Sequence, residues 1–394
     1  MRRPAAALAC LLVALAATAC GRNSGASTAT GADERPGLGV KGSEPQAAHD
    51  LGFPGFATKN TTRIGGADAI ANAAGAARAV FPATTPDNRP NAVALIDARD
   101  WRAGIAGSVL ASTPVRAAIL LSNGPEMPAA TRDALTALRP LGAKDAGGAQ
   151  VVRVGNVARP PGLRTTDIAG RDPFALARAL DAFQTAARGK SSERVLIVSA
   201  DDPAFAMPAA AWAAKAGDPV LYVHRDSLPQ ETKAALLAHD QPRIYILGPT
   251  STVSANVARD LKALGTVKRL GADNPMDNAI AFARYTDGTF GWGVTDPGHG
   301  IVFASSRRSL DAAAAAPLSS SSTYGPLLLI PDAQALPQAV QDYLLDIQPG
   351  YDKDPVRGVY NHGWLMGDES AISADVQARI DTLLEIQPVD TGAK

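Results

Sequence analysis

One short phrase occurs three times in this chain, at intervals that match the length of a small domain. The copies read Thr61-Thr-Arg-Ile-Gly-Gly-Ala-Asp68, Thr165-Thr-Asp-Ile-Ala-Gly-Arg-Asp172 and Val267-Lys-Arg-Leu-Gly-Ala-Asp273. Their closing aspartates stand 104 and 101 residues apart. Solenoid and propeller repeats have periods of about 20–50 residues. The longer period found here predicts one complete small domain for each copy of the phrase.

Other segments recur in phase with this phrase. A helix start with proline in its second position occurs as Met127-Pro-Ala-Ala-Thr-Arg-Asp-Ala-Leu135, Leu228-Pro-Gln-Glu-Thr-Lys-Ala-Ala-Leu236 and Leu336-Pro-Gln-Ala-Val-Gln-Asp-Tyr-Leu344. The apolar strand before it reads Ala118-Ile-Leu-Leu121, Pro219-Val-Leu-Tyr222 and Pro326-Leu-Leu-Leu329. Short apolar strands that alternate with helices predict parallel βαβ units. We therefore predict an α/β fold with three tandem modules, at residues 61–164, 165–266 and 267–388.

The start of the chain has the features of an export signal. Met1-Arg-Arg-Pro4 is positively charged and is followed by an apolar stretch that is short for a membrane span. Ala17-Thr-Ala-Cys20-Gly21 resembles a bacterial lipobox. We predict a signal peptide at residues 1–19, lipidation of Cys20 and a flexible tether at residues 20–59, rich in small residues and proline. The alternative is plain secretion after cleavage behind Ala19, and both place the body outside the cytoplasm.

The composition argues against nucleic-acid binding, metal binding and catalysis as functions of this chain. The 38 Lys and Arg residues balance the 38 Asp and Glu residues, which argues against a nucleic-acid partner. Both cysteines lie in the first 20 residues, and the five histidines show no metal-ligand spacing. Asp201-Asp202 follows an apolar strand, where α/β enzymes place acid and base groups, but a single copy without partners indicates a turn. We predict no cofactor, no metal and no enzymatic activity.

Basic residues near the phrases are candidates for contact with an anion. They are Arg63, Arg171, Lys268 and Arg269. Guanidinium groups bind phosphate and carboxylate groups in bidentate fashion. The alternative is that each arginine pairs with the closing aspartate of its own phrase and holds the modules together.

The order of these phrases resembles that of cell wall-binding repeat 2 modules, which occur in threes in surface proteins of Gram-positive bacteria. The middle unit carries the resemblance through Pro219-Val-Leu-Tyr222, Leu228-Pro229, Ile244-Tyr-Ile-Leu-Gly248, Thr252-Val-Ser254 and Arg269-Leu-Gly-Ala-Asp273. The resemblance extends over about residues 61–388. Two departures stand out: the family's Arg-Tyr-x-Thr-Ala phrase is absent, and no clear helix follows Lys144-Asp-Ala-Gly-Gly148 in the first unit.

The resemblance implies compact Rossmann- or toprim-like modules packed around a pseudo-threefold axis. It also implies noncovalent binding to an anionic, teichoic-acid-like cell-wall polymer. The family's Ile-Leu-Leu motif, which is linked to polymer binding, corresponds here to Ile119, Leu120, Leu121, Val220, Leu221, Tyr222, Leu327, Leu328 and Leu329. The alternative is that these short apolar runs are core strands that act through assembly of the modules.

We therefore predict a non-enzymatic surface lipoprotein, anchored to the membrane by lipid and bound to the cell wall. A solute-binding lipoprotein of a transporter shares the anchor, the tether and α/β lobes. Solute-binding proteins of that class have two lobes around a hinge. Three copies of the repeated phrase favour the wall-binding interpretation instead. A degenerate extracytoplasmic α/β enzyme is the third alternative.

Overall fold

The computed structural model describes residues 55–321 and 324–389. Its strands are β1 Gly55–Ala57, β2 Thr61–Ile64, β3 Ala92–Asp97, β4 Ala117–Ser122, β5 Val151–Val154, β6 Thr165–Ile168, β7 Arg194–Ser199, β8 Val220–Val223, β9 Arg243–Leu247, β10 Thr266–Leu270, β11 Gly300–Ser305, β12 Leu327–Ile330, β13 Gly350–Tyr351, β14 His362–Met366 and β15 Gln387–Pro388. The predicted signal peptide and Cys20 lie outside the described residues, as does the tether before Gly55.

The helices alternate with these strands along most of the described chain. They are α1 Ala69–Val80, α2 Trp101–Gly107, α3 Ala129–Leu138, α4 Pro173–Arg188, α5 Pro203–Ala216, α6 Gln230–Leu237, α7 Ala255–Leu261, α8 Pro275–Arg284, α9 Leu310–Ser320, α10 Gln338–Asp346 and α11 Ala374–Leu384. Helix α2 continues beyond Gly107 as a 3₁₀ helix, Ser108–Ala111.

Three larger sheets organise the described chain, and β13 and β15 form a separate two-stranded sheet. The first has the order β4-β3-β5-β6, the second β8-β7-β9-β10 and the third β12-β11-β14-β2, with β1 added to the edge of the third. All strand pairs within these orders are parallel except β1 with β2. The predicted α/β class is confirmed. The pseudo-threefold arrangement of three modules stays a prediction.

The second and third copies of the repeated phrase each provide the edge strand of the sheet that precedes them. Strand β6 pairs with β5 and strand β10 pairs with β9. Among the described residues only β1 precedes the first phrase, and strand β2 of that phrase pairs with β14 near the end of the described chain, with Thr61 opposite Gly363. The beginning and the end of the described chain therefore share one sheet. The module boundaries at 164 and 266 stay predictions.

Small residues let the helices that follow β3, β7 and β11 pack closely together. Helix α9 contacts both α5 and α2. A methyl group on Gly104 of α2 would lie only 3.0 Å from the Cβ of Ala313 in α9. Alanine and glycine at such contacts allow two helix backbones to approach, and they explain the alanine-rich sequence of these helices.

The helix that follows each copy of the repeated phrase begins at a side-chain N-cap. In the third copy, the capping residue is not the aspartate that aligns with Asp68 and Asp172. Asp68 accepts a hydrogen bond from the Ala71 amide (2.8 Å), and Asp172 accepts one from the Ala175 amide (2.8 Å). In the third phrase the cap is Asn274, which accepts from the Asp277 amide at 2.9 Å. Asp273, which the alignment matched to the other two aspartates, lies one residue too early to cap α8.

The first sheet lacks one helix. Residues 248–265, between β9 and β10 of the second sheet, contain α7, and α11 follows β14 in the third sheet. Between β5 and β6 of the first sheet, residues 155–164 contain no helix. The absence of a clear helix here was predicted from the sequence.

Candidate polymer-binding site

Arg63 is buried in the third sheet and its guanidinium group bonds to the chain itself. Its side chain donates to Gln377 Oε1 (2.8 Å), to the Gly367 carbonyl (2.9 Å) and to the Ser373 carbonyl (3.3 Å). Burial lowers the pKa of Arg63. The residue is 5% exposed, so its main role is to hold the loop after β14, and the start of α11, against β2.

Arg269 has the equivalent role in the second sheet. It donates to the carbonyls of Gly248 (2.8 Å), Pro249 (3.0 Å) and Val253 (2.6 Å). Burial lowers the pKa of Arg269 as well. The partners of Arg63 and Arg269 are therefore mainly backbone carbonyls. They are not the phrase aspartates that the alternative interpretation named.

The first sheet reaches the same result with a different arginine. The phrase strand β6 carries Asp167 at the position of Arg63 and Arg269. Arg153 on the neighbouring strand β5 donates to Asp167 Oδ2 (2.8 Å) and to the carbonyls of Val157 (3.2 Å) and Ala158 (3.0 Å). Sequence reasoning missed Arg153. The aspartate at an arginine position of the aligned phrase was the signal that could have found it.

The other two predicted basic residues are exposed. Arg171 forms ion pairs with Glu231 (2.7 Å) and Asp172 (3.3 Å), and 74% of its side chain is accessible. The Lys268 ammonium lies 4.6 Å from the ring centre of Tyr285. Arg171 follows the edge strand of the first sheet, whereas Lys268 lies on the edge strand of the second, so the four basic residues are distributed over all three sheets.

The nine residues that match the Ile-Leu-Leu motif lie in β4, β8 and β12. Each is at most 2% exposed. The hydroxyl of Tyr222 donates to the Arg102 carbonyl at 2.8 Å, and burial raises the pKa of Tyr222 well above its usual value. These side chains form the core of their sheets. Contact with a polymer would require the sheets to open, so any effect of these residues on binding would act through assembly.

The paired carboxylates Asp201-Asp202 have separate structural partners. Asp201 faces His224, with Nδ1 of the histidine 3.1 Å from both carboxylate oxygens. The His224 ring packs against Phe174, with ring centres 5.0 Å apart. Asp202 accepts from the Ser199 hydroxyl at 3.1 Å, within the turn that follows β7. The turn agrees with the sequence interpretation for Asp202, whereas Asp201 has a partner, His224, that the sequence did not indicate.

Charge is unevenly distributed along the chain although it balances overall. Residues 61–164 contain twelve Lys and Arg against seven Asp and Glu, a net charge of +5. Residues 165–266 contain eleven of each, and residues 267–388 contain eight against fifteen, a net charge of −7. A net positive charge favours contact with a polyanion and a net negative charge opposes it, so residues 61–164 have the most favourable formal charge of the three segments. Counting charge by segment would have shown this from the sequence.

Two kinds of feature are absent from the described residues. Within residues 55–321 and 324–389, no group of three or more His, Cys, Asp or Glu side chains is arranged to hold a metal ion. In the same residues, no helix has both the length and the apolar character of a membrane span.

Comparisons with known proteins point to the cell wall. Residues 168–258 match the family model of cell wall binding domain 2 (CWB2). N-acetylmuramoyl-L-alanine amidase LytC of Bacillus subtilis (strain 168) is 34% identical over 95 residues, which cover 24% of this chain and 19% of the amidase. The amidase enhancer of the same organism is 29% identical over 110 residues, 27% of this chain and 16% of that protein. Each match spans less than a fifth of the relative's length.

Solved structures share the fold over most of the chain. Cwp8 from Clostridium difficile superposes with a TM-score of 0.62 at 19% identity, covering 82% of this chain and 52% of that one. Cwp6 from Clostridium difficile gives a TM-score of 0.65 at 16% identity, covering 83% and 49%. The family match associates this chain with the cell wall. The similarity to cell wall binding domain 2 (CWB2) is located at residues 168–258.

Proposed function

We propose that this protein is a non-enzymatic surface lipoprotein that binds noncovalently to an anionic polymer of the cell wall. The observation that carries the proposal is the match of residues 168–258 to cell wall binding domain 2. Lipidation of Cys20 would tether the folded body to the membrane while the body binds the wall.

The charge distribution supports an anionic ligand. Residues 61–164 carry a net charge of +5 in a chain with no net charge. Guanidinium groups bind phosphate and carboxylate groups more specifically than ammonium groups do. The arrangement of the strands argues against the solute-binding alternative, because the described chain has three four-stranded parallel arrays instead of two lobes around a hinge.

Sedimentation of the mature chain with purified Gram-positive cell walls tests the proposal. One sample of walls is intact and a second has its anionic polymers extracted. We expect the protein to sediment with intact walls and to remain in solution with extracted walls. Equal binding to both samples would contradict an anionic polymer, and binding to neither would refute wall attachment.

The lipid anchor has a separate test. We expect the wild-type protein to fractionate with membranes and the Cys20→Ala variant to lose that association while retaining wall binding. A variant that remains in the membrane fraction would refute lipidation at Cys20.

A further inference from the structure

A groove of about 560 Å³ lies beside helix α3 of the first sheet. We call it the first-sheet groove. Met127, Leu135 and Leu163 contribute an apolar part of its lining, which we call the apolar floor, and Pro160 and Pro161 also line the groove. Its volume is within the range of about 300–1,000 Å³ that is typical of small-ligand sites.

The groove exists because the first sheet lacks a helix. In the third sheet, α11 packs against α10, and Arg379 donates to Gln341 Oε1 at 3.1 Å. Gln341 is the residue of α10 that aligns with Arg132 of α3. In the first sheet, the chain between β5 and β6 contains no helix and contributes prolines instead. The face of α3 that carries Arg132 is therefore open to solvent.

Three arginines line the groove: Arg89, Arg132 and Arg139. Each is held by a bond from its guanidinium group to a backbone carbonyl. Arg89 Nε donates to the Arg139 carbonyl at 2.6 Å, Arg132 donates to Met127, and Arg139 donates to Ala83.

Each arginine keeps further N–H groups for a ligand. Among the described residues, none of the three forms an ion pair with a carboxylate. Three guanidinium groups that are anchored but not neutralised, around an apolar floor, match a ligand with anionic groups on a carbon backbone.

The aligned positions of the other two sheets do not repeat this chemistry. Arg139 aligns with Asp240 and with Gln348. Arg132 aligns with Lys233 in the second sheet and with Gln341 in the third. The pair of arginines at positions 132 and 139 is therefore found only in the first sheet, which has no helix between β5 and β6.

We infer that the first-sheet groove binds the anionic repeat units of a wall polymer, with phosphodiester or carboxylate groups paired to the arginines and the intervening polyol or sugar carbons against the apolar floor. This inference rests on the proposed function. It assigns the contact to the unit outside the 168–258 match, at arginines that were not among the basic residues predicted from the sequence.

Binding of the mature chain to defined polymers tests the inference. The probes are poly(glycerol phosphate), which carries phosphodiesters, polygalacturonate, which carries carboxylates, and neutral dextran. We expect Arg132→Glu to weaken binding of at least one of the charged polymers on the order of tenfold. The matched control is Lys233→Glu, which makes the same change of charge at the aligned position of α6 and should leave binding within about twofold.

A second pair of variants keeps the net charge constant. Thr136 is exposed and lines the groove. Thr136→Trp should fill the groove and weaken binding, whereas Leu237→Trp at the aligned and exposed position of α6 should not. Circular dichroism and thermal unfolding of all four variants check that each is folded.

The outcomes separate the groove from the proposed function. Equal losses in Arg132→Glu and Lys233→Glu would indicate attraction by overall charge and would overturn the groove. Wild-type binding that is unaffected by Arg132→Glu and Thr136→Trp would also overturn it, while leaving wall attachment standing. Failure of the wild-type chain to bind intact walls and both charged polymers would refute the proposed function itself.

Discussion

A single arginine in each sheet connects the loop after one strand to its neighbouring strand. Arg63 and Arg269 do this from the strand of the repeated phrase, and Arg153 does it from the strand next to the phrase strand, with Asp167 as a partner. A carbonyl that is buried without a donor is costly. Each sheet therefore has an arginine that donates to loop carbonyls, although its position differs in the first sheet. Arg63 and Arg269, which the sequence suggested as ligand-binding residues, have this structural role instead.

Replacement of Arg63 by alanine should destabilise the protein. It would leave the carbonyls of Gly367 and Ser373 without this donor, so we expect the free energy of unfolding to fall by about 3 kcal/mol. Urea denaturation followed by circular dichroism measures the change. The control is Arg171→Ala at an exposed ion pair, which should cost no more than about 0.5 kcal/mol. A larger loss in the control would contradict the assignment.

His239 should make stability depend on pH near neutrality. Burial lowers the pKa of its imidazole, but the hydrogen bond to Asp181 (2.8 Å) and the charge of that carboxylate outweigh burial, and the pKa is raised overall. A raised pKa in the folded state means that the contribution to stability is complete below the unfolded value of about 6.5. It is lost as the pH rises through the pKa of the folded state.

The His239→Gln variant isolates this effect. We expect the difference in unfolding free energy between wild type and variant to be largest at about pH 5.5 and to shrink towards about pH 8.5. Denaturant titrations across that range measure the difference. A difference that grows with pH would show that the neutral imidazole is the favoured form.

At the scale of secondary-structure elements, helix starts explain why the repeated phrase persists. Asp68, Asp172 and Asn274 each accept a backbone N–H from the first turn of the helix that follows. Aspartate and asparagine are equally good N-caps. The function of the position is thus retained in the third phrase, although its aspartate has moved by one residue.

Two alanine substitutions test whether Asn274, and not the preceding Asp273, is the N-cap of α8. Asn274→Ala removes the cap of α8 and should lower the free energy of unfolding by about 1 kcal/mol. Asp273→Ala alters an exposed residue and should change it by no more than about 0.5 kcal/mol. Thermal and chemical denaturation of both variants give the comparison. If Asp273→Ala lowered the free energy of unfolding more than Asn274→Ala does, Asp273 would be the cap, as the alignment of the three aspartates suggested.

At the scale of the whole described chain, the two ends depend on each other. Strand β2 pairs with β14, and the Asn60 amide donates to Asp381 Oδ1 at 2.7 Å. The Asn60 side chain donates to the Asp381 carbonyl at 3.0 Å. These contacts join positions more than 300 residues apart, and the third sheet is complete only when the beginning of the body is present.

Removal of the first strands should therefore weaken a distant part of the protein. The test compares a chain that begins at Gly65 with one that begins at Gly55. The shorter chain lacks the partner of β14 and the bonds of Arg63, so we expect faster amide hydrogen exchange in residues 362–366 and a lower Tm. Unchanged amide hydrogen exchange in β14 would show that pairing with β2 does not protect this strand.

Much of the fold could be predicted from the sequence because it depends on local patterns. Apolar runs such as Val195 to Val198 and the alternation with helices specify parallel strands buried on both faces. The missing helix of the first sheet was also visible. The candidate site was less predictable: the motif residues are core, two of the four basic residues hold loops, and Arg153 lies outside every phrase.

The sequence by itself determined the α/β class, the repeated phrase and the resemblance to wall-binding modules, because periodicity and turn chemistry act over short distances along the chain. Only the tertiary structure decided that the first phrase completes the last sheet. It also decided which arginines are used by backbone carbonyls, and that Arg89, Arg132 and Arg139 line one groove. The physical reason is that these facts depend on contacts between residues far apart in sequence, which no local pattern encodes.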